Sequence, residues 1–235
     1  MEKPFQFKQF AVYHQQSTLK VGTDAILLGA WADIKNTSKI LEIGSGCGII
    51  ALMLAQRSNA DIHAIDIDSK SCNEARKNAC LSPWSKRIEV TNISFQDFYK
   101  NNKNQYDLIV SNPPYFSNSL KSRDNINNLA KHNDSLSFKE LAIGISKLLL
   151  SDGKACIILP INEALNFKEE ATNQQLFCQH EVEIIPCKSK PIKRILMQFG
   201  KKKSITTKEQ LIILKEKNKY TNEFIDLTRE FYLAF

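Results

Sequence analysis

Short apolar runs recur along the chain, separated by polar stretches whose apolar residues fall at helical spacing. Residues 38–44 (SKILEIG), 61–67 (DIHAIDI), 87–93 (RIEVTNI), 106–112 (YDLIVSN) and 153–160 (GKACIILP) read as five strands. Residues 48–58 (GIIALMLAQRS) place apolar side chains on one helical face between the first two. Residues 69–81 follow the second strand as a helix, with Ser69 as its expected cap, and residues 137–153 precede the fifth, where Ser137 and Glu140 fit a capping box. Strand-helix-strand alternation implies right-handed crossovers, so an α/β fold with a parallel sheet and helices on both faces.

Both ends of the chain differ from this middle. Residues 23–32 (TDAILLGAWA) have helical periodicity, with Thr23 or Asp24 as cap, and come before the first sheet strand. They suit a segment lying over the ligand end of the sheet. Residues 177–187 and 194–203 are two strand-like runs joined by KSKPIK, too short for a crossover helix, so they predict an antiparallel hairpin on the sheet edge. QLIILKE (210–216) is a candidate further strand. Residues 221–233 read as a closing helix with Thr221 near its cap. One domain over 1–235 is expected: a covering segment (1–35), a core (36–160), then the basic hairpin and closing helix (161–235).

The 235 residues, 43% of them hydrophobic, suffice for a full α/β core. No apolar run approaches the roughly 20 residues that span a bilayer, and the N-terminus lacks a signal-peptide core. These predict a cytoplasmic protein with no membrane partner. The six cysteines and four histidines are scattered, without zinc-ligand spacing, so reduced thiols and no metal are expected. The net charge of +7 is matched by one stretch alone. Residues 186–203 carry Lys188, Lys190, Lys193, Arg194, Lys201, Lys202 and Lys203 and no acidic residue. Such clustering points to a polyanion such as nucleic acid, or to a solvated basic surface.

LEIGSGCGI puts Glu42, Gly44, Gly46 and Gly48 at a strand-to-helix junction, where glycines allow close backbone approach to a ligand. The second strand ends at Asp66, which suits a ribose diol. The G-x-G-x-G spacing is not the dinucleotide fingerprint. Glu42, two positions before Gly44, suits a cationic ligand end and would repel a pyrophosphate. After the third strand, Asp97 can accept from an adenine amino group, and Phe98 can supply an apolar wall or a backbone N–H. An amino-acid tail, a ribose and an adenine together specify S-adenosylmethionine.

NPPY leaves the fourth strand at the carboxyl edge, where open α/β sheets bind ligands. A sulfonium methyl group is already electrophilic, so the protein must chiefly align a nucleophile. For an exocyclic amino group, two acceptors aimed at its N–H bonds favour the sp3 nitrogen that carries developing charge. The Asn112 side chain and the Pro113 carbonyl can be those acceptors. Pro113 and Pro114 stiffen the loop, and Tyr115 can stack on a planar target. The following polar stretch, 118–136, carries Lys121, Arg123 and Lys131, and suits closure over a flipped nucleotide.

The region 40–160 resembles the class I S-adenosylmethionine-dependent methyltransferases. That resemblance implies a Rossmann-like fold with a seven-stranded, mostly parallel sheet ending in an antiparallel C-terminal hairpin. The expected cofactor set is Glu42, Gly44, Gly46, Gly48, Asp66, Ile67, Asp97, Phe98 and Asn112, joined by Gly22 and Thr23 through the second resemblance that follows. A second resemblance, carried by FKQFAVYHQQSTLKVGTDAILLGAWA, LEIGSGCGIIALMLAQR, NPPYF and YTNEFIDLTREFYL, covers almost the whole chain. It is to the bacterial tRNA(Val) adenine-N6 methyltransferases, which act on adenine 37 beside the anticodon. It implies tRNA as the partner; a monomer is expected, with Lys121, Arg123 and Lys131 of the polar stretch and the basic residues Lys188 to Lys203 as the expected RNA contacts. The NPPY signature itself is shared with protein-glutamine and other RNA amino-methyltransferases, so the motif names the kind of atom and leaves the molecule open.

Overall fold

The computed structural model describes residues 3–17, 20–113, 136–217 and 219–235. Two short strands, β1 (Phe5–Gln6) and β2 (Ala11–Val12), form a hairpin ahead of helix α1 (Thr23–Trp31). The alternating part follows as β3 (Lys39–Ile43), α2 (Ile49–Arg57), β4 (Asp61–Asp66), α3 (Ser69–Leu81), β5 (Ile88–Asn92), α4 (Phe95–Asn101), β6 (Tyr106–Ser111), α5 (Phe138–Leu148) and β7 (Leu149–Leu159). Helix α6 (Ile161–Asn173), strands β8 (Phe177–Cys187), β9 (Arg194–Gly200), β10 (Thr207–Glu216) and β11 (Lys219–Tyr220), and helix α7 (Asn222–Thr228) follow, and a 3-10 turn (Ser85–Arg87) precedes β5.

β5, β4, β3, β6 and β7 lie side by side and parallel, as the alternating pattern predicts. The expected hairpin is present as β8 and β9, but it is not the sheet edge. β9 pairs antiparallel with β7, β8 lies outside it, and β10 adds parallel to β8 with β11 beyond. The described residues thus form a nine-stranded sheet where seven strands were expected. β10, with Leu211 in the core, pairs along the outer edge of β8 and so satisfies backbone groups that this edge would otherwise leave open.

Alternation along the strands divides the core into two layers. Ile40, Leu108, Val110, Cys156 and Ile158 face α1 and α2, while Leu41, Ile109, Ala155 and Ile157 face α4, α5 and α6. Ser137 and Glu140 form the expected capping box, and Thr221 caps α7 through the Phe224 N–H. Two other caps differ from expectation. α3 is capped by Asp68, whose carboxylate accepts from the Ser71 N–H, because Ser69 is already helical. α1 is capped by Gly22, which makes no side-chain cap bond, and Thr23 is its first residue. The chain ends meet: Lys8 Nζ donates to the carbonyls of Arg229 and Phe235, and Phe5, Phe7, Tyr232 and Phe235 join one aromatic cluster with Phe224.

Candidate active site

β3 runs straight into the glycine loop. Gly44, Gly46 and Gly48 all have positive φ, at 74°, 53° and 79°, a region that costs other residues about 1–2 kcal/mol. The loop is pinned to the next strand: Gly44 and Ser45 donate their N–H groups to the Ile65 carbonyl, and Gly46 donates to Asp66 Oδ2 at 2.8 Å. At Gly48 a side chain would also be crowded, since a Cβ there would sit 3.2 Å from that of Ala75 on α3.

Two acids stand behind this loop. Glu42 is fully buried (0% exposed); its Oε2 accepts from the Ala51 N–H at 2.9 Å, while Oε1 is buried with no hydrogen-bond partner. Burial pushes its carboxyl well above the ordinary range, and the charge of Asp66 adds to this. An orphaned acid oxygen beside a glycine loop fits a site for the cationic end of a ligand. Asp66 accepts from Gly46 N and Asp68 N, and burial still raises its carboxyl. Ile67 beside it is 58% exposed, an apolar surface at the carboxyl end of β4. Asn92, which the sequence reading did not single out, fixes this corner by donating to the carbonyls of both Asp66 and Ile67.

Asp97 lies in the first turn of α4, with Ser94 donating its hydroxyl to Oδ2 at 2.7 Å. Phe98 departs from its expected role. Its N–H is spent on the Ser94 carbonyl within the helix, and its ring is 5% exposed, edge-on to His63 in the core. A helical position facing the sheet offers neither a free N–H nor an open ring.

A cleft of about 550 Å³ opens along the carboxyl edge of the sheet. Gly44, Ser45, Gly46 and Cys47 line one side, and Lys20, Gly22, Thr23, Asp24 and Ala25 another. Asn112 and Pro113, directly after β6, line the same space. Its remaining wall comes from the end of the chain: Ile184, Pro186, Lys193, Arg194 and Ile213. Arg194 pairs with Asp24 at 2.8 Å, tying β9 to α1. Sequence reading missed Lys20, Asp24, Ile184, Pro186 and Ile213. The Asp24–Arg194 pair spans 170 positions, a separation at which no local pattern announces a contact. Pro114 and Tyr115 fall outside the described residues, as do Lys121, Arg123 and Lys131.

The basic stretch does not form one patch. Ile195 pairs with Leu159 at the carboxyl end of β7, whereas Phe199 pairs with Ala155, nearer its start. Lys188, Lys190, Lys193 and Arg194 therefore lie at the cleft edge. Lys201, Lys202 and Lys203 lie at the opposite edge, roughly 20–24 Å away along β9. There Lys201 donates to the Leu149 carbonyl, Lys202 pairs with Asp152, and Lys203 sits over the Phe177 ring. Contiguity in sequence across a strand places residues at opposite ends of a sheet, which corrects the expectation of a single RNA-contacting cluster.

Among the described residues no group of three or more His, Cys, Asp or Glu is placed to hold a metal, and no helix is long and apolar enough to cross a membrane. The buried Cys47 and Cys156 thiols are pushed up to about 12, chiefly by burial, which keeps them protonated and inert.

Comparison with known proteins agrees with this geometry. A protein from Bacteroides fragilis (strain YCH46), named tRNA1(Val) (adenine(37)-N6)-methyltransferase, is 44% identical over 235 residues, covering 99% of each chain. Proteins of the same name from Trichodesmium erythraeum and Actinobacillus succinogenes are 45% and 40% identical, each comparison covering 98% of both chains. A solved structure of a predicted O-methyltransferase from Agrobacterium tumefaciens superposes with a TM-score of 0.64 at 19% identity, covering 88% of this chain and 96% of that one. A methyltransferase from Pyrococcus furiosus gives 0.58 at 18%, covering 82% and 89%. The fold is that of the class I S-adenosylmethionine-dependent methyltransferases. With the methyltransferase small domain model matching residues 8–136, and full-length relatives at this level of identity, the chain belongs to the methyltransferase small domain family.

Proposed function

We propose that the protein transfers a methyl group from S-adenosylmethionine to the exocyclic N6 of adenine 37 in tRNA(Val). The observation that carries the reading is that Asn112 and the glycine loop open on one cleft, in a chain alike from end to end to enzymes of that name. The cofactor, when bound, supplies an electrophilic methyl group on a sulfonium.

The rest is alignment by this chain's own residues. The glycine loop and the Lys20–Gly22–Thr23 side of the cleft enclose the amino-acid end, with Glu42 behind the loop as the counter-charge. Asp66 faces the ribose hydroxyls, giving up part of its hold on the loop, and Ile67 and Asp97 flank the adenine. Asn112 accepts one N–H of the target amino group through its side-chain oxygen, and Pro113 accepts the other through its carbonyl. These two bonds strengthen as the nitrogen becomes tetrahedral and positive, so they favour the transition state over the ground state. Ile184, Pro186 and Ile213 give an apolar wall beside the reacting base. Lys188, Lys190, Lys193 and Arg194 stand at the mouth, where a phosphate backbone would pass.

The test is methyl transfer to an unmodified tRNA(Val) transcript, followed by nucleoside mass spectrometry, with a second transcript carrying guanine at position 37. N6-methyladenosine in the first and none in the second is expected. Methyl incorporation that persists in the second transcript, or methylation of a protein glutamine with none of tRNA, overturns the proposal.

A further inference from the structure

One face of α3 grips the segment that precedes the cleft. Glu74, Lys77 and Asn78 share that face at spacings of three and four. The Tyr13 N–H donates to Asn78 Oδ1 at 2.9 Å, and Asn78 Nδ2 donates to the Tyr13 carbonyl at 2.7 Å. The Lys77 ammonium lies 3.6 Å from the centre of the Tyr13 ring. Glu74 then takes three successive backbone N–H groups: Gln15 and Gln16 on Oε1 at 2.8 and 3.1 Å, and Ser17 on Oε2 at 2.9 Å. Burial raises the Glu74 carboxyl, but these backbone donors outweigh it and hold the carboxyl below its ordinary range.

Both acceptors are deeply placed, Glu74 at 4% and Asn78 at 1% exposed. Asn78 Nδ2 donates to a second carbonyl as well, that of Cys47 in the glycine loop, at 2.9 Å. One amide therefore ties both sides of the cleft together: residues 13–17, which lead to Lys20, Gly22 and Thr23, and the loop that faces them. The Val21 N–H closes back on His14 Nδ1 at 3.2 Å, so the lining residues inherit the position of the gripped ones. The buried apolar residues of the same helix are Cys72, Ala75 and Ala79.

We propose that Glu74 and Asn78 are positioning residues that set the spacing between the Lys20–Gly22–Thr23 side of the cleft and the glycine loop, and so the fit of the amino-acid end of S-adenosylmethionine, without touching it. The proposal rests on the reading of the cleft as a cofactor site. It predicts selectivity by ligand part. S-adenosylhomocysteine carries the amino-acid end, whereas 5′-methylthioadenosine lacks it and relies on the Asp66, Ile67 and Asp97 side.

The experiment is calorimetry with both ligands on the wild type, Glu74→Gln and Asn78→Ala, with thermal melts alongside. Glutamine keeps the side-chain length but turns an NH2 group against the backbone donors. Alanine frees the Tyr13 and Cys47 carbonyls. Affinity for S-adenosylhomocysteine should fall about tenfold or more in each variant, while that for 5′-methylthioadenosine stays within about twofold. In turnover, KM for S-adenosylmethionine should rise with kcat retained at saturation. Equal loss of both ligands would mean a general loosening and overturn the proposal, as would no loss of either. A wild type that binds neither ligand would refute the cofactor reading itself, and this inference with it.

Discussion

Glu42→Gln isolates the buried acid behind the glycine loop. Glutamine has the same shape and keeps an oxygen for the Ala51 N–H, but it cannot ionise. In the unfolded wild type, Glu42 loses its proton near the ordinary value of 4.5; in the folded protein, burial holds the proton to a much higher pH. The folded state then binds more protons than the unfolded one across that window. The stability contributed by the neutral carboxyl is complete below pH 4.5 and is lost as pH rises through the folded value. The limiting slope is about 1.4 kcal/mol per pH unit. Asp66, the charged neighbour of Glu42, titrates in both proteins and largely cancels in the difference. Urea unfolding of wild type and variant at pH 5, 6 and 7 should show the variant gaining on the wild type by about 1 kcal/mol or more per pH unit until the folded value is passed. A constant difference across the range would refute the argument that burial keeps this acid neutral. The same group links to the ligand: wild-type affinity for S-adenosylmethionine should rise with pH over that window, because a cationic end favours the carboxylate, and the variant's should rise less, keeping only the part due to Asp66.

Asn112→Ala should lower single-turnover methyl transfer about a hundredfold or more while leaving tRNA binding intact by filter retention, since its acceptor role is greatest in the transition state. Gly48→Ala should cost about 1–2 kcal/mol in chemical denaturation, because its φ of 79° and the nearby Ala75 both oppose a side chain; an unchanged midpoint would contradict the crowding. For RNA, binding should be measured at several salt concentrations. Changing Lys188, Lys190 and Lys193 to Ala should flatten the slope of log affinity against log salt by about 0.7–0.9 per lost phosphate contact. Changing Lys201, Lys202 and Lys203 should leave that slope nearly as it was, and the opposite ranking would place the RNA on the far edge of the sheet.

The sequence by itself determined the five parallel strands and most of their helices: strands covered on both faces stand out as short apolar runs, and helices that bury one face write their period into the chain. The glycine loop was legible too, since glycine takes positive φ at little steric cost and three of them stand at alternate positions where a strand meets a helix, and Asn112 was marked as the residue leaving β6. The Ser137–Glu140 box and the Thr221 cap were legible because capping is settled within four residues. What lay beyond a few residues was decided only by the tertiary structure. β10 pairs parallel with β8 because an open strand edge satisfies its backbone groups, and no local signal chooses which edge that is. The basic stretch was divided between two edges because β9 runs antiparallel to β7 and carries its ends apart. Phe98 turned inward because its helical position faces the sheet. The cleft took Asp24, Arg194 and Ile213 from opposite ends of the chain, and Asn78 came to join residues 13–17 to the glycine loop. Such contacts arise from packing elements in three dimensions, where the free energy depends on distance in space and not on separation along the sequence.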